Sequence, residues 1–242
     1  MEGMKTKIKT AMILAGILLS SSVLANPVVM QAGLDATEQL SAMQQFMERA
    51  RAVAPDGAGA PMLLVNTFHG TNSPGGASVA ITFDSLEHWA KVTANQRTNP
   101  KWQALMQTFP VDSFKANYQG LTEIVWQSQG ATPPTAGNIL VIYGFNIVQG
   151  GVQPLMSFLD RLTDVGKKEN IGGQPTVMVP MVTGAGNNQQ ATVVIRFDSA
   201  AAWAEAVAKQ NSSSTWQQPF ATFPARNYSL TNRSMSTVMT AP

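Results

Sequence analysis

Residues 77–89 read ASVAITFDSLEHW, and residues 191–203 read ATVVIRFDSAAAW. The correspondence continues without a gap, at a constant offset of 114, to Pro110 and Pro224. Fifteen of these 34 positions are identical, where unrelated sequences share roughly two at average residue frequencies. The shared skeleton is Val79, Ile81, Phe83-Asp84-Ser85, Trp89, Gln96, Trp102-Gln103 and Thr108-Phe109-Pro110, matched by Val193, Ile195, Phe197-Asp198-Ser199, Trp203, Gln210, Trp216-Gln217 and Thr222-Phe223-Pro224. The same offset extends from Pro61 and Pro175 to Ile124 and Val238, while the first helices align slightly differently, Phe46 on Phe158 and Arg49 on Arg161. The chain is a duplicated module.

Each copy reads as βαββαβ. In the first, a short strand at Val28 to Ala32 precedes a helix from Ala36 to Val53, where Leu40, Met43, Phe46, Met47 and Ala50 recur at helical spacing. Strands follow at Met62 to His69 and Ala77 to Phe83, joined by the hairpin loop Thr71 to Gly76. A second helix starts at Ser85, breaks near Asn99-Pro100 and resumes to Phe109, and a last strand runs from about Ser113 to Val125. The second copy repeats the order at Asn138 to Ile147, Val152 to Lys167, Thr176 to Val182, Ala191 to Phe197, Ala200 to Phe223 and Tyr228 to Met239. Between the copies, Gln127 to Gly137 has no apolar periodicity and holds Pro133-Pro134, so it reads as a linker. At ~3.3 Å per residue it can span about 35 Å, the width of a domain. The predicted organisation is a leader over residues 1–25, a first module over 26–126, the linker over 127–137 and a second module over 138–242.

The βαββαβ order, and a strand ending Phe-Asp-Ser that leads into a Trp-bearing helix, resemble the dimeric α+β-barrel superfamily, which holds the antibiotic-biosynthesis-monooxygenase-like proteins. The resemblance spans about 27–126 and 138–240. It implies two ferredoxin-like modules whose sheets close face to face into a barrel, normally between subunits. In a tandem chain the two sheets can close on each other, which removes exposed sheet edges. The predicted fold class is therefore α+β, an intrachain pseudo-dimeric barrel, present as a monomer or a homodimer. The resemblance also implies an apolar pocket between sheet and helices. Haem-degrading members use a His on the second helix as axial ligand. The stretch Asn95 to Gln107 contains none and His88 lies about two turns earlier, so no cofactor is predicted.

Val79, Ile81 and Phe83 alternate with Ala80 and Thr82, which puts three large apolar side chains on one face, beneath the helices. Asp84 then ends the strand as the expected N-cap, accepting from the Glu87 N–H, with Glu87 placed to return a bond as a capping box. The second copy has Ala201 where Glu87 stands, so only the cap, Asp198, is shared. Capping explains these aspartates better than a role as general base. Trp89 and Trp203 fall five residues after them and read either as core rings, each stabilising by about 3 kcal/mol on burial, or as walls of a ligand pocket.

Duplicated positions kept only for packing should resemble each other, so function is sought where the copies differ. His69 stands opposite Thr183, Asn66 opposite Pro180, His88 opposite Ala202 and Arg196 opposite Thr82. Asn66 and His69 are three apart on one strand, and simple alternation points them to opposite faces. His88, beside Trp89, reads as an exposed polar residue. The candidate ligand-binding set is Asn66, His69, Trp89, Tyr143, Arg196 and Trp203, with no catalytic residue assigned.

Several chemistries are absent from the sequence. With two histidines and no cysteine there is no disulfide, no thiolate nucleophile and no metal-ligand spacing such as H-E-x-x-H. There is no G-x-S-x-G elbow, and Gly184-Ala185-Gly186 leads into a strand, as a hairpin loop does, so it is no phosphate cradle. Lys5, Lys7 and Lys9, the apolar run Ala11 to Leu19 and the small-residue pattern Val23-Leu24-Ala25 predict a secretory signal peptide cleaved after Ala25. Removing residues 1–25 leaves 13 residues of each charge sign, so no nucleic-acid partner is predicted. No later stretch approaches the ~20 apolar residues of a membrane span. The expectation is a periplasmic or secreted barrel that binds a small apolar ligand, with cofactor-independent monooxygenase or isomerase activity on an apolar aromatic substrate as its enzymatic form. The sequence leaves open whether it is an enzyme. A non-catalytic structural or protein-interaction module of the cell envelope is the alternative.

Overall fold

The computed structural model describes residues 26–35, 40–54, 61–69, 76–109, 115–183 and 190–240. The predicted leader and both hairpin loops, at 70–75 and 184–189, lie outside the described residues. The first half comprises β1 (Val28–Asp35), α1 (Leu40–Val53), β2 (Pro61–His69), β3 (Ala77–Phe83), α2 (Leu86–Thr98), α3 (Pro100–Met106) and β4 (Lys115–Gln127). The second comprises β5 (Ile139–Ile147), α4 (Gln153–Glu169), β6 (Gln174–Thr183), β7 (Ala191–Phe197), α5 (Ala200–Ser212), α6 (Ser214–Ala221) and β8 (Tyr228–Thr240).

The eight strands form one closed barrel in the order β1-β3-β2-β8-β5-β7-β6-β4, so each half contributes a ferredoxin-like sheet, β4-β1-β3-β2 or β8-β5-β7-β6. Two antiparallel seams, β2 with β8 and β4 with β6, join the sheets within the chain and leave no edge unpaired. Duplication is visible even in the irregularities. On one seam Thr67 and Met239 are extra residues in the ladder, and on the other Met181 and Val125 are. These are the same two positions of the repeat, and such bulges supply the local bend and twist that closure needs.

Alternation then separates an inner from an outer face. Val28, Ile81 and Phe83 point outward and pack with Val92 and Trp89 under α2, while Val79 joins the cluster of Met43, Phe46, Met47, Leu63 and Leu105 beneath α1 and α3. The second half builds the equivalent pair of outer cores, around Phe158, Leu159 and Val177 and around Ile139, Phe197 and Ala206. Ring packing is repeated too: Phe46 meets Phe109 edge-on at 5.1 Å, and at the matching place Phe158 lies 4.3 Å from Phe223. Val29, Leu64, Ala80, Leu140, Met178 and Val238 face inward as a third cluster shared by both halves.

The helix starts differ from expectation by one residue. Ser85 and Ser199, not the preceding aspartates, are the N-caps: each is extended, and their hydroxyl oxygens accept from the N–H of His88 at 3.0 Å and of Ala202 at 3.1 Å. The N3 position is thus His88, and Glu87 is not placed to close a capping box. Two adjacent residues, Asp and Ser, are both good caps, and the one whose oxygen reaches the N3 amide decides. Ser85→Ala and Ser199→Ala are each expected to lower the unfolding free energy by about 1 kcal/mol. Denaturant melts should show less than about 0.5 kcal/mol for Glu87→Ala, an exposed change. The helix break at Asn99 occurs as read, with Asn99 capping α3 through the N–H groups of Lys101 and Trp102. A second break, not foreseen within Ala200 to Phe223, occurs at Ser213, which caps α6 through the Trp216 N–H.

Candidate functional site

A cavity of about 420 Å³ occupies the barrel interior, within the ~300–1,000 Å³ usual for small-molecule sites. Its walls come from repeat-equivalent positions: Met62 and Thr176, Leu64 and Met178, Ala80 and Val194, Thr82 and Arg196. Pairing register adds Val29 with Leu140 and Gln31 with Ile142. The pseudo-twofold axis between the halves therefore runs through the space. Lining residues cluster at the starts of β1, β2, β5 and β6 and the ends of β3, β4 and β7, which all lie at one end of the barrel. Apolar side chains form most of the interior, with Gln31, Thr82 and Thr176 among them, and Gln127, Gln174, Asp84 and Arg196 bring polar groups to this mouth.

The segment between the modules crosses that mouth. Ala131, Thr132, Pro133 and Pro134 line the cavity, so this stretch is part of the site as well as a connection. Its backbone is pinned from several sides. The Thr132 N–H donates to Gln174 Oε1 at 3.0 Å, the Ser128 N–H to the Pro175 carbonyl at 3.0 Å, and the Thr135 N–H to Asn138 Oδ1 at 2.8 Å. Arg196 Nη1 donates to the carbonyls of Thr132 and Pro133 at 3.2 and 3.0 Å. Gln174 follows Gly173, whose φ of +117° disfavours any side chain and where a Cβ would crowd Ile195 and Phe197 at 3.1 Å.

Arg196 sits between Leu140 and Gln174 in the sheet and is buried. Its Nη2 lies 3.2 Å from Asp198 Oδ1, and its Nε is buried without a partner. The matching place in the first half holds Thr82, and there Asp84 is engaged by His88 instead: the Asp84 N–H donates to His88 Nδ1 at 3.3 Å, with the carboxylate 3.3 Å from the same nitrogen. His88 is not the exposed residue expected, since its side chain is 22% accessible and its ring meets Phe83 edge-on at 5.8 Å. The two copies thus give equivalent aspartates different partners.

Of the sequence-derived candidates, only Arg196 lines this cavity. Trp89 and Trp203 pack on the outer side of the wall, under α2 and α5. Tyr143 also packs outside, with the Arg233 guanidinium 5.6 Å from its ring. Asn66 lies deeper along β2, where its Oδ1 accepts from Ser236 Oγ at 2.6 Å. The His69 side chain lies outside the described residues. Its backbone pairs with Ser234, and Asn66 pairs with Ser236, so three steps on β2 match two on β8 and the alternation argument does not carry across the bulge at Thr67. The pocket between sheet and helices implied by the resemblance is, for this cavity, replaced by the barrel interior. Leu140, Met178 and Gln174 were missed as lining residues. The signal available was Arg196 itself, which shares the inward face of β7 with Val194 and opposite to Val193, Ile195 and Phe197. Among the described residues no group of three His, Asp or Glu is placed to hold a metal, and no helix is long and apolar enough to cross a membrane.

No family model and no curated protein matches the chain. Solved structures do. An anthrone oxidase-like protein superposes with a TM-score of 0.56 at 14% identity, over 90% of this chain and 93% of that one. A candidate monooxygenase from Fusobacterium nucleatum gives 0.52 at 9% identity, over 89% and 93% of the two chains. One from Lactobacillus acidophilus gives 0.52 at 9%, over 88% and 93%. At such identities the likeness is one of fold. With a closed eight-stranded antiparallel barrel, helices packed outside it and near-complete coverage of both partners, the chain has the dimeric α+β-barrel fold, both halves of the barrel being supplied by one tandemly duplicated polypeptide.

Proposed function

We propose that the protein is an exported binder of a small apolar aromatic molecule, held in the barrel interior, with cofactor-independent oxygenase or isomerase chemistry as the activity such a site would support. The observation that carries the reading is the apolar cavity of about 420 Å³ at the shared centre of the two modules. A module serving only structure or interaction needs no more than a packed interior, and side chains here leave room for a ligand. Among solved structures with this fold, an anthrone oxidase-like protein and candidate monooxygenases favour the same direction. Oxygenase and isomerase reactions without a cofactor run through a substrate anion. Arg196 is the cation among the described lining residues that could stabilise one, and Asp84 is the carboxylate at the rim. Export is supported by the tripartite leader ending at Ala25.

A thermal-shift panel of 2-naphthoate, 2-naphthol, anthrone and 1,4-naphthoquinone tests the ligand reading. At a concentration 100 times its Kd, a binder adds about 2.7 kcal/mol, which raises Tm by roughly 5–10 °C in a chain of this size. No response from any member contradicts the reading. Intact mass of the protein from its native host is expected to begin at Asn26, and a full-length mass in the membrane fraction contradicts export.

A further inference from the structure

Arg196 carries more charge and more donor capacity than its surroundings match. Its side chain is 10% accessible, yet the acceptors for Nη1 are two neutral carbonyls, those of Thr132 and Pro133. Its counter-ion, Asp198, is 82% accessible and faces water, where solvent and salt screen it. The Nε–H is buried with no acceptor. A buried cation whose compensation lies outside, with a donor left over, is a costly arrangement to hold for packing alone. The repeat-equivalent place on the rim holds the uncharged Thr82.

We propose that the barrel takes an aromatic monocarboxylate, its acid group docked on Arg196 and its rings among Leu64, Leu140, Ile142, Met178 and Val194. The inference rests on the reading of the interior as a ligand site. A carboxylate brings a full opposite charge and can accept two parallel N–H groups of one guanidinium, which a single neutral carbonyl does not. It therefore competes with the linker carbonyls and Asp198 for the guanidinium's Nη donors. Asp84 on the same rim repels a second negative charge, which selects one acid group over two.

The test is a matched pair, 2-naphthoate and the neutral 2-naphthamide, titrated calorimetrically into the full mature chain at neutral pH. Wild type is expected to bind naphthoate at least about tenfold more tightly. Arg196→Met should erase that preference by weakening naphthoate at least tenfold while leaving naphthamide within about threefold, and Arg196→Lys should restore part of it. Naphthoate affinity should also fall as pH is lowered through the ligand's own carboxyl pKa. If both compounds bind wild type equally, the anion inference fails and the interior-site reading stands. If neither binds, both fail. Should Arg196→Met not fold, the wild-type comparison decides by itself.

Discussion

Trp203→Ala is expected to lower the unfolding free energy by about 3 kcal/mol and to leave affinity for 2-naphthoate within about twofold of wild type. The indole packs against Ile139, Val141, Phe197 and Ala206 on the outer side of the barrel wall, so truncation opens a void in a core that cannot fully collapse. Partial rather than complete burial puts the effect at the low end of the ~3–5 kcal/mol seen for large aromatics. Trp89→Ala should behave alike but cost somewhat less, because its buried Nε1 has no hydrogen-bond partner and removing it relieves a desolvated donor. Trp89→Phe, which keeps much of the packing and discards that donor, should come within about 1.5 kcal/mol of wild type. Urea melts read the stabilities and calorimetry the affinities. A near-neutral Trp203→Ala that loses ligand would place the site beneath the helices.

The repeat made the fold legible because its identities fall where the module needs them. Phe83-Asp84-Ser85 and Phe197-Asp198-Ser199 mark the same strand-to-helix corner, and the structure puts both under the same kind of outer core. Closure of the two sheets on each other followed from tandem copies of a module that otherwise pairs between subunits. The cavity was less legible, for a physical reason. Ile139, Leu140 and Val141 are a continuous apolar run because both faces of β5 are covered, so pattern alone does not say which side is packed and which lines a void. The large aromatics lie under the helices, while most of the lining is made by medium aliphatic residues that look like ordinary core. The linker was legible as irregular chain but not as part of the site: what holds it is long-range, through Gln174 and Arg196, which lie 42 and 64 residues away from Thr132. Of the four departures between copies singled out in the sequence, Arg196 against Thr82 is the one that lines the cavity, and a comparison of the repeats finds it directly.

Ala80→Phe tests, with the largest expected effect on binding, whether the ligand sits in the barrel interior. Ala80 is buried, lines the cavity and lies between Gln31 and Met62 in the sheet. Phenylalanine suits a strand, and a ring needs a void of about 150 Å³, which the cavity of about 420 Å³ can supply. Filling space that is empty should change stability by less than about 1.5 kcal/mol, while the added ring takes the place of ligand. Ile81→Phe, on the opposite face of the same strand, should overpack the outer core, cost about 1–3 kcal/mol and leave affinity unchanged. The decisive measurement is calorimetric titration of 2-naphthoate into folded Ala80→Phe beside wild type. At least a 100-fold loss of affinity, about 2.7 kcal/mol, is expected, with Tm within a few degrees of wild type; wild-type affinity in the folded variant would mean that the ligand binds outside the barrel interior.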